Sequence, residues 1–107
     1  MSRRDEKLPE LMMHLAAEWI ALEANRTSLI TVTNARLSEN GRRVAILYTV
    51  LPETSERVVG DFLGRRKRDF FNYVDKKARI GRMPEIQFIL DQGEKNRQRI
   101  DFLLENG

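Results

Sequence analysis

The residues able to do chemistry in this chain are concentrated between Arg65 and Arg82, in RRKRDFFNYVDKKARIGR. Eight cations, Arg65, Arg66, Lys67, Arg68, Lys76, Lys77, Arg79 and Arg82, stand there against Asp69 and Asp75, a local charge of +6. Three of the seven phenylalanines and tyrosines, Phe70, Phe71 and Tyr73, lie among them. The rest of the chain carries eleven cations against fourteen acids, so a basic block sits on a slightly acidic body. Such a block attracts polyanions, and its guanidinium and ammonium groups suit phosphates, which supply affinity but little sequence information. The bland alternative is that the run is a solvated helix face.

Other chemistries lack their residues. With no cysteine and one histidine, the sequence offers no disulfide framework, thiolate metal site or cysteine nucleophile. No Gly-rich phosphate loop and no nucleophile elbow is present. We therefore assign no catalytic residue, no metal ligand and no cofactor, and expect neither an enzyme nor a small-molecule substrate. His14 stands alone beside an apolar stripe and reads as a surface or packing residue. At 107 residues the chain is long enough for one domain with a single hydrophobic core, spanning 1–107 with 1–7 frayed. No apolar run approaches the roughly 20 residues of a membrane span, and no signal-type segment opens the chain. A soluble, unprocessed cytoplasmic protein is expected.

The elements that must position the basic block follow from periodicity. Leu8, Leu11, Met12, Leu15, Trp19 and Leu22 recur at three-and-four spacing and predict a helix over 8–24, with Pro9 in its first turn and Trp19 as a core anchor. Residues 28–37 and 42–51 are rich in β-branched side chains and flank Asn40-Gly41, which predicts an antiparallel hairpin. Both of its faces are apolar, so one faces the helices and the other is covered or partly exposed. Tyr48 is there a candidate for a contact surface or a cross-strand packing residue. Thr54 or Ser55 can cap a second helix with the stripe Val58, Val59, Phe62 and Leu63. That helix falters near Gly64 to Arg68 and resumes on Phe70, Tyr73 and Val74 as far as about Lys77. Gly60 and Gly64 lower its local stability by about 1 kcal/mol each relative to alanine. Residues 84–91 alternate as a third strand, and 94–105 place Ile100, Leu103 and Leu104 on one side of a closing helix. The order α-β-β-α(interrupted)-β-α predicts an α+β fold, a three-stranded sheet with helices on one face.

Three segments carry a resemblance across nearly the whole chain. LITVTNARLSENGRRVAILYTVL, KARIGRMPEIQFILDQ and RIDFLLEN match, in order and separation, a strand of the form VTVTxVxLSxDLxxAxVYV, a basic stretch leading into PEL-F-D, and a closing RIxxLL segment. In these the chain resembles ribosome-binding factor A, a family of bacterial small-subunit assembly factors. The resemblance implies a type II KH-like fold and, as partners, the small ribosomal subunit and its ribosomal RNA. In the family a small-residue Ala-x-Gly marks the kink in the interrupted helix. Arg66, Lys67 and Arg68 occupy those three positions here, so either the kink moves to Gly64 or the half-helices run on more straightly. The extended C-terminal tail of many family members is also missing from this sequence, and nothing assigned to that tail is expected of it.

The basic block then becomes a candidate RNA-binding surface, with Arg65, Arg66, Lys67, Arg68, Lys76, Lys77, Arg79 and Arg82 on phosphates. Arg42 and Arg43 at the hairpin turn extend this surface or merely solubilise it. Phe70, Tyr73 and Val74 lie on the buried stripe, whereas Phe71 is out of phase with it and is the candidate for stacking on a base. Folded RNA fits better than duplex DNA, because no recognition helix stands out and no dimerisation heptads are present, which also predicts a monomer. Two other readings stay open: a general KH-like binder of single-stranded RNA, and a protein-interaction module using the outer sheet face.

Overall fold

The apolar stripe of the first helix produces the element it predicts, and a longer one. In a computed structural model that describes residues 3–24, 28–95 and 98, α1 spans Arg3–Glu23. It begins five residues before the stripe does, because arginine, glutamate and lysine are good helix formers and extend a helix that packing has already nucleated. Pro9 consequently lies inside α1 rather than in its first turn. Leu8, Met12, Leu15, Ala16, Trp19 and Ile20 form its buried face. Leu11 and Leu22, expected in the stripe, lie on its rim and are exposed.

Strands β1 (Leu29–Leu37) and β2 (Arg43–Leu51) pair antiparallel, and β3 (Glu85–Leu90) adds to β2 in parallel, giving a mixed sheet with β2 at its centre. The β1–β2 turn uses Gly41 at φ 70°, while Asn40 Oδ1 accepts hydrogen bonds from the Ser38 hydroxyl (2.8 Å) and the Arg42 N–H (3.0 Å). The pairing of β1 with β2 slips at Thr33, between Val32↔Tyr48 and Asn34↔Leu47. Strict alternation would put Asn34 and Arg36 in phase with Ile30 and Val32, on the core side. One extra residue reverses the phase, so that Ala35 and Leu37 pair with Ile46 and Val44 on the core face while Asn34 and Arg36 turn outward. The bulged Thr33 then donates its hydroxyl to Asp91 Oδ2 at 2.5 Å, just beyond the end of β3. Asp91 also accepts from the Glu94 N–H at 3.0 Å, and these bonds hold its carboxyl below the usual carboxylate range.

A turn of 3-10 helix at Glu53–Ser55 leads into α2 (Glu56–Arg65), and α3 (Lys67–Lys77) follows after one residue. Neither Thr54 nor Ser55 caps α2 through its side chain; the turn satisfies the entry with the backbone bond Ser55 N–H to Pro52 O, 2.9 Å. All three helices lie on the core face of the sheet, where Val44, Ile46, Tyr48 and Val50 of β2 and Ile86 of β3 meet Val59, Leu63, Phe70 and Val74. Tyr48 is therefore a core residue and not part of a contact surface: burial, and the nearby Glu56 carboxylate, push its hydroxyl up from the usual phenol range. On the other face Leu29, Leu51 and Ile89 are exposed. The helix expected over 94–105 begins at 92, with 92–95 and Gln98 helical, and the rest of it from residue 96 onward falls outside the described residues.

The two glycines of α2 differ in what surrounds them. A Cβ at Gly60 would lie 3.3 Å from the Tyr48 hydroxyl, whereas one at Gly64 would meet nothing within 4 Å. Gly64→Ala should therefore raise stability in urea unfolding by about 0.5–1 kcal/mol, the helix-propensity gain. Gly60→Ala should gain less, or lose, because it must displace Tyr48.

Candidate nucleic-acid interface

The helix breaks at Arg66, the first residue of the expected RKR trio. Its φ of −98° and ψ of 9° lie in the bridge region, which any L-residue can enter, so the break requires no glycine. Helical i to i−4 bonds flank it on both sides, Arg66 N–H to Phe62 O at 3.0 Å and Phe70 N–H to Arg66 O at 3.1 Å. The break falls inside the interruption expected at Gly64 to Arg68, and one expectation for the kink is corrected: it has not moved to Gly64, which stays within α2.

Arg66 is also a member of the block that is turned back onto the fold. Its guanidinium binds Asp69 one turn ahead and Glu23 at the end of α1 (3.2 Å), and lies over the rings of Phe62 (5.5 Å) and Trp19 (5.9 Å). The hydrogen bonds to Asp69 and Glu23 raise its already high pKa further. A guanidinium held by two carboxylates is a clasp between α1 and the α2–α3 break, and its charge is already answered within the fold. Arg65, at the end of α2, and Lys67 and Arg68, in the first turn of α3, are exposed on the outside of the same break.

The remaining cations gather at the opposite end of α3, about 15 Å away along its axis. Lys76 and Lys77 occupy its last turn, and the segment 78–84 carrying Arg79 and Arg82 leads to β3. Because Arg43 is the register partner of Glu85, the hairpin turn with Arg42 and Arg43 meets the start of β3 at this end. Arg43 Nε lies 3.6 Å from Glu85 Oε2. Lys77 reaches back to Glu18 of α1 at 3.5 Å and lies over the Tyr73 ring at 5.5 Å. The Tyr73 hydroxyl donates to the same Glu18, which drives the tyrosine up to about 12 and holds the carboxyl below its usual range. The single block of the sequence is thus divided by the length of α3: Arg65, Lys67 and Arg68 stand at the break, and Lys76, Lys77, Arg79 and Arg82 at or beyond its far end, on the way to the strand that pairs with the hairpin at Arg43.

The aromatics divide as their phase predicts. Phe70 is fully buried, its ring centroid 5.3 Å from that of Trp19 and 5.5 Å from that of Phe88, while Phe71 is 37% exposed. Phe71 shares a cleft of about 310 Å³ with Lys67, Arg68 and Asn72. The sequence reading missed Asn72; its signal was the i+4 spacing from Arg68 on the face that Phe71 shares. It also missed Glu23 as a partner of Arg66, a pairing that only the folded chain creates. Among the described residues no group of acids and histidines is placed to hold a metal ion, and no helix is long and apolar enough to cross a membrane.

Comparison with known proteins gives a consistent result. The family model for ribosome-binding factor A matches residues 4–104. The ribosome-binding factor A of Geobacter sulfurreducens is 29% identical over 111 residues, spanning 97% of this chain and 91% of that protein. That of Thermobifida fusca is 27% identical over 104 residues, spanning 94% and 69%. Among solved structures, the crystal structure of ribosome-binding factor A from Thermus thermophilus superposes with a TM-score of 0.68 at 28% identity, over 80% of this chain and 94% of that one. The solution structure of a Thermotoga maritima protein shares the fold with a TM-score of 0.69 at 24% identity, over 87% and 92%.

Proposed function

Because the chain belongs to the ribosome-binding factor A family, we propose that it binds the small ribosomal subunit during maturation, gripping ribosomal RNA phosphates with the cations on the outside of the α2–α3 break. The observation that carries this reading is the division of labour at the break. Arg66 is turned inward on Glu23 and Asp69, while Arg65, Lys67 and Arg68 beside it are exposed on the opposite side. Lys76, Arg79 and Arg82, with Arg42 and Arg43, supply a second point of contact one helix length away. Two separated clusters fix an orientation on a folded RNA, which a single patch would not. Binding energy spent on one RNA conformation shifts its equilibrium with the others, and that work needs no catalytic residue. A monomer acting in the cytoplasm completes the proposal.

Co-sedimentation with purified small subunits over a salt series tests it. Log affinity should fall linearly with log salt, by about 0.7–0.9 per phosphate contacted. Salt-insensitive binding would sink the phosphate mechanism. Competition with an unstructured RNA at fixed salt separates an assembly factor, which prefers the subunit, from a general single-strand binder. The exposure of Leu29, Leu51 and Ile89 on the outer sheet face favours a second reading, a protein-interaction surface. That reading predicts binding indifferent to neutralising Arg65, Lys67 and Arg68.

A further inference from the structure

We propose that the first two turns of α3 hold a single unpaired nucleotide, its base laid on Phe71 and read by Asn72, with its phosphates on Lys67 and Arg68; this rests on the RNA-binding reading above. Lys67, Arg68, Phe71 and Asn72 are spaced one helical turn apart in two pairs, and so share one side of α3. They line a cleft of about 310 Å³, at the small end of ligand sites, a size that suits one base with its sugar better than a stacked run. Nothing in the core demands Phe71. Phe70 already fills the buried position with no exposure, and Phe71 stands among cations at 37%. An accessible ring beside positive charge is the combination on which bases stack while phosphates are held. Asn72 adds a donor and an acceptor on one planar group, which pair together with the N6 and N7 edge of adenine.

The surroundings limit the site to that one nucleotide. Arg66 is drawn away to Glu23 and Asp69, so it does not fill the cleft. Asp75 follows one turn beyond Phe71 on the same side and repels a phosphate there, which keeps the backbone at the Lys67 and Arg68 end.

The test uses the full chain and two RNA hairpins identical except for a bulged adenosine in one and an abasic bulge in the other, with affinities from fluorescence anisotropy. The wild type should favour the bulged adenosine by about fivefold or more. Phe71→Leu should abolish that preference and Phe71→Trp should keep it, with thermal melts confirming that both variants fold. A third hairpin with a bulged uridine reads base identity: the wild type should prefer the adenosine, and Asn72→Ala should lose that preference while keeping the one over the abasic hairpin. Equal wild-type affinity for the two hairpins, or a preference that survives Phe71→Leu, would overturn the nucleotide site. If both hairpins then still showed a steep salt dependence, phosphate binding would stand without it; if neither did, the underlying reading would fail as well.

Discussion

Replacing Arg65, Lys67 and Arg68 together by glutamine should weaken binding to small ribosomal subunits about 100-fold at 0.1 M salt. Each phosphate contact on a single-stranded region contributes about 0.7 to the slope of log affinity against log salt, so losing three flattens the slope by about 2. Over the tenfold range between 0.1 M and 1 M salt that amounts to about two decades, with the variant and the wild type converging at high salt. Glutamine is neutral, polar and a good helix former, so the change removes charge without disturbing the helix. The decisive comparison is Arg66→Gln. Its guanidinium is held by Glu23 and Asp69, so this variant should leave the salt slope unchanged and lower the melting temperature instead. Sedimentation across a salt series reads the first quantity and circular dichroism the second. An unchanged slope in the triple variant would remove the phosphate mechanism and favour the outer sheet face.

Much of the fold was legible because its signals are local. The stripe through Met12, Leu15 and Trp19, the β-branched runs on either side of Asn40-Gly41, and the alternation of Ile86, Phe88 and Leu90 each specify an element within a few residues. The parallel attachment of β3 to β2 was not specified in that way, since it depends on where α2 and α3 cross the sheet. The bulge at Thr33 lies between the two cases. Its trace was present in Asn34 and Arg36, polar residues in phase with Ile30 and Val32, but the extended run invited a strand without interruption.

The candidate site was legible in its composition and not in its arrangement. Sequence shows that Arg65, Arg66, Lys67 and Arg68 are adjacent, and adjacency makes them look equivalent. A helix separates them by about 100° per residue, so four neighbours cannot face one way. Which one turns inward depends on Glu23, 43 residues away, and on the Trp19 and Phe62 rings beneath the break. For the same reason a long cation can stand at the break itself. The backbone there needs no small residue, and the side chain that would crowd the joint instead finds partners across it.

Trp19→Ala should destabilise the protein by about 3–5 kcal/mol, a large share of the 5–15 kcal/mol typical of a domain, and lower its melting temperature by at least about 12 °C. Trp19 is 2% exposed and its ring meets those of Phe62 (6.3 Å), Phe70 (5.3 Å) and Phe88 (6.2 Å), with the Arg66 guanidinium at 5.9 Å. These partners come from α2, α3, β3 and the break itself, so one side chain of α1 joins every element that orients the two half-helices. Removing it leaves a cavity at their junction and takes away a face on which Arg66 rests. Circular dichroism melts of Trp19→Ala and Trp19→Phe measure the effect, and Trp19→Phe should cost less because it keeps a ring. A loss below about 1 kcal/mol for alanine would show that the joint is held elsewhere. The consequence for binding is of a different kind from that of the charge variants. Trp19→Ala reduces the fraction of folded protein without touching Arg65, Lys67 or Arg68, so its residual binding should keep the wild-type salt slope, whereas the glutamine triple should stay folded and lose the slope.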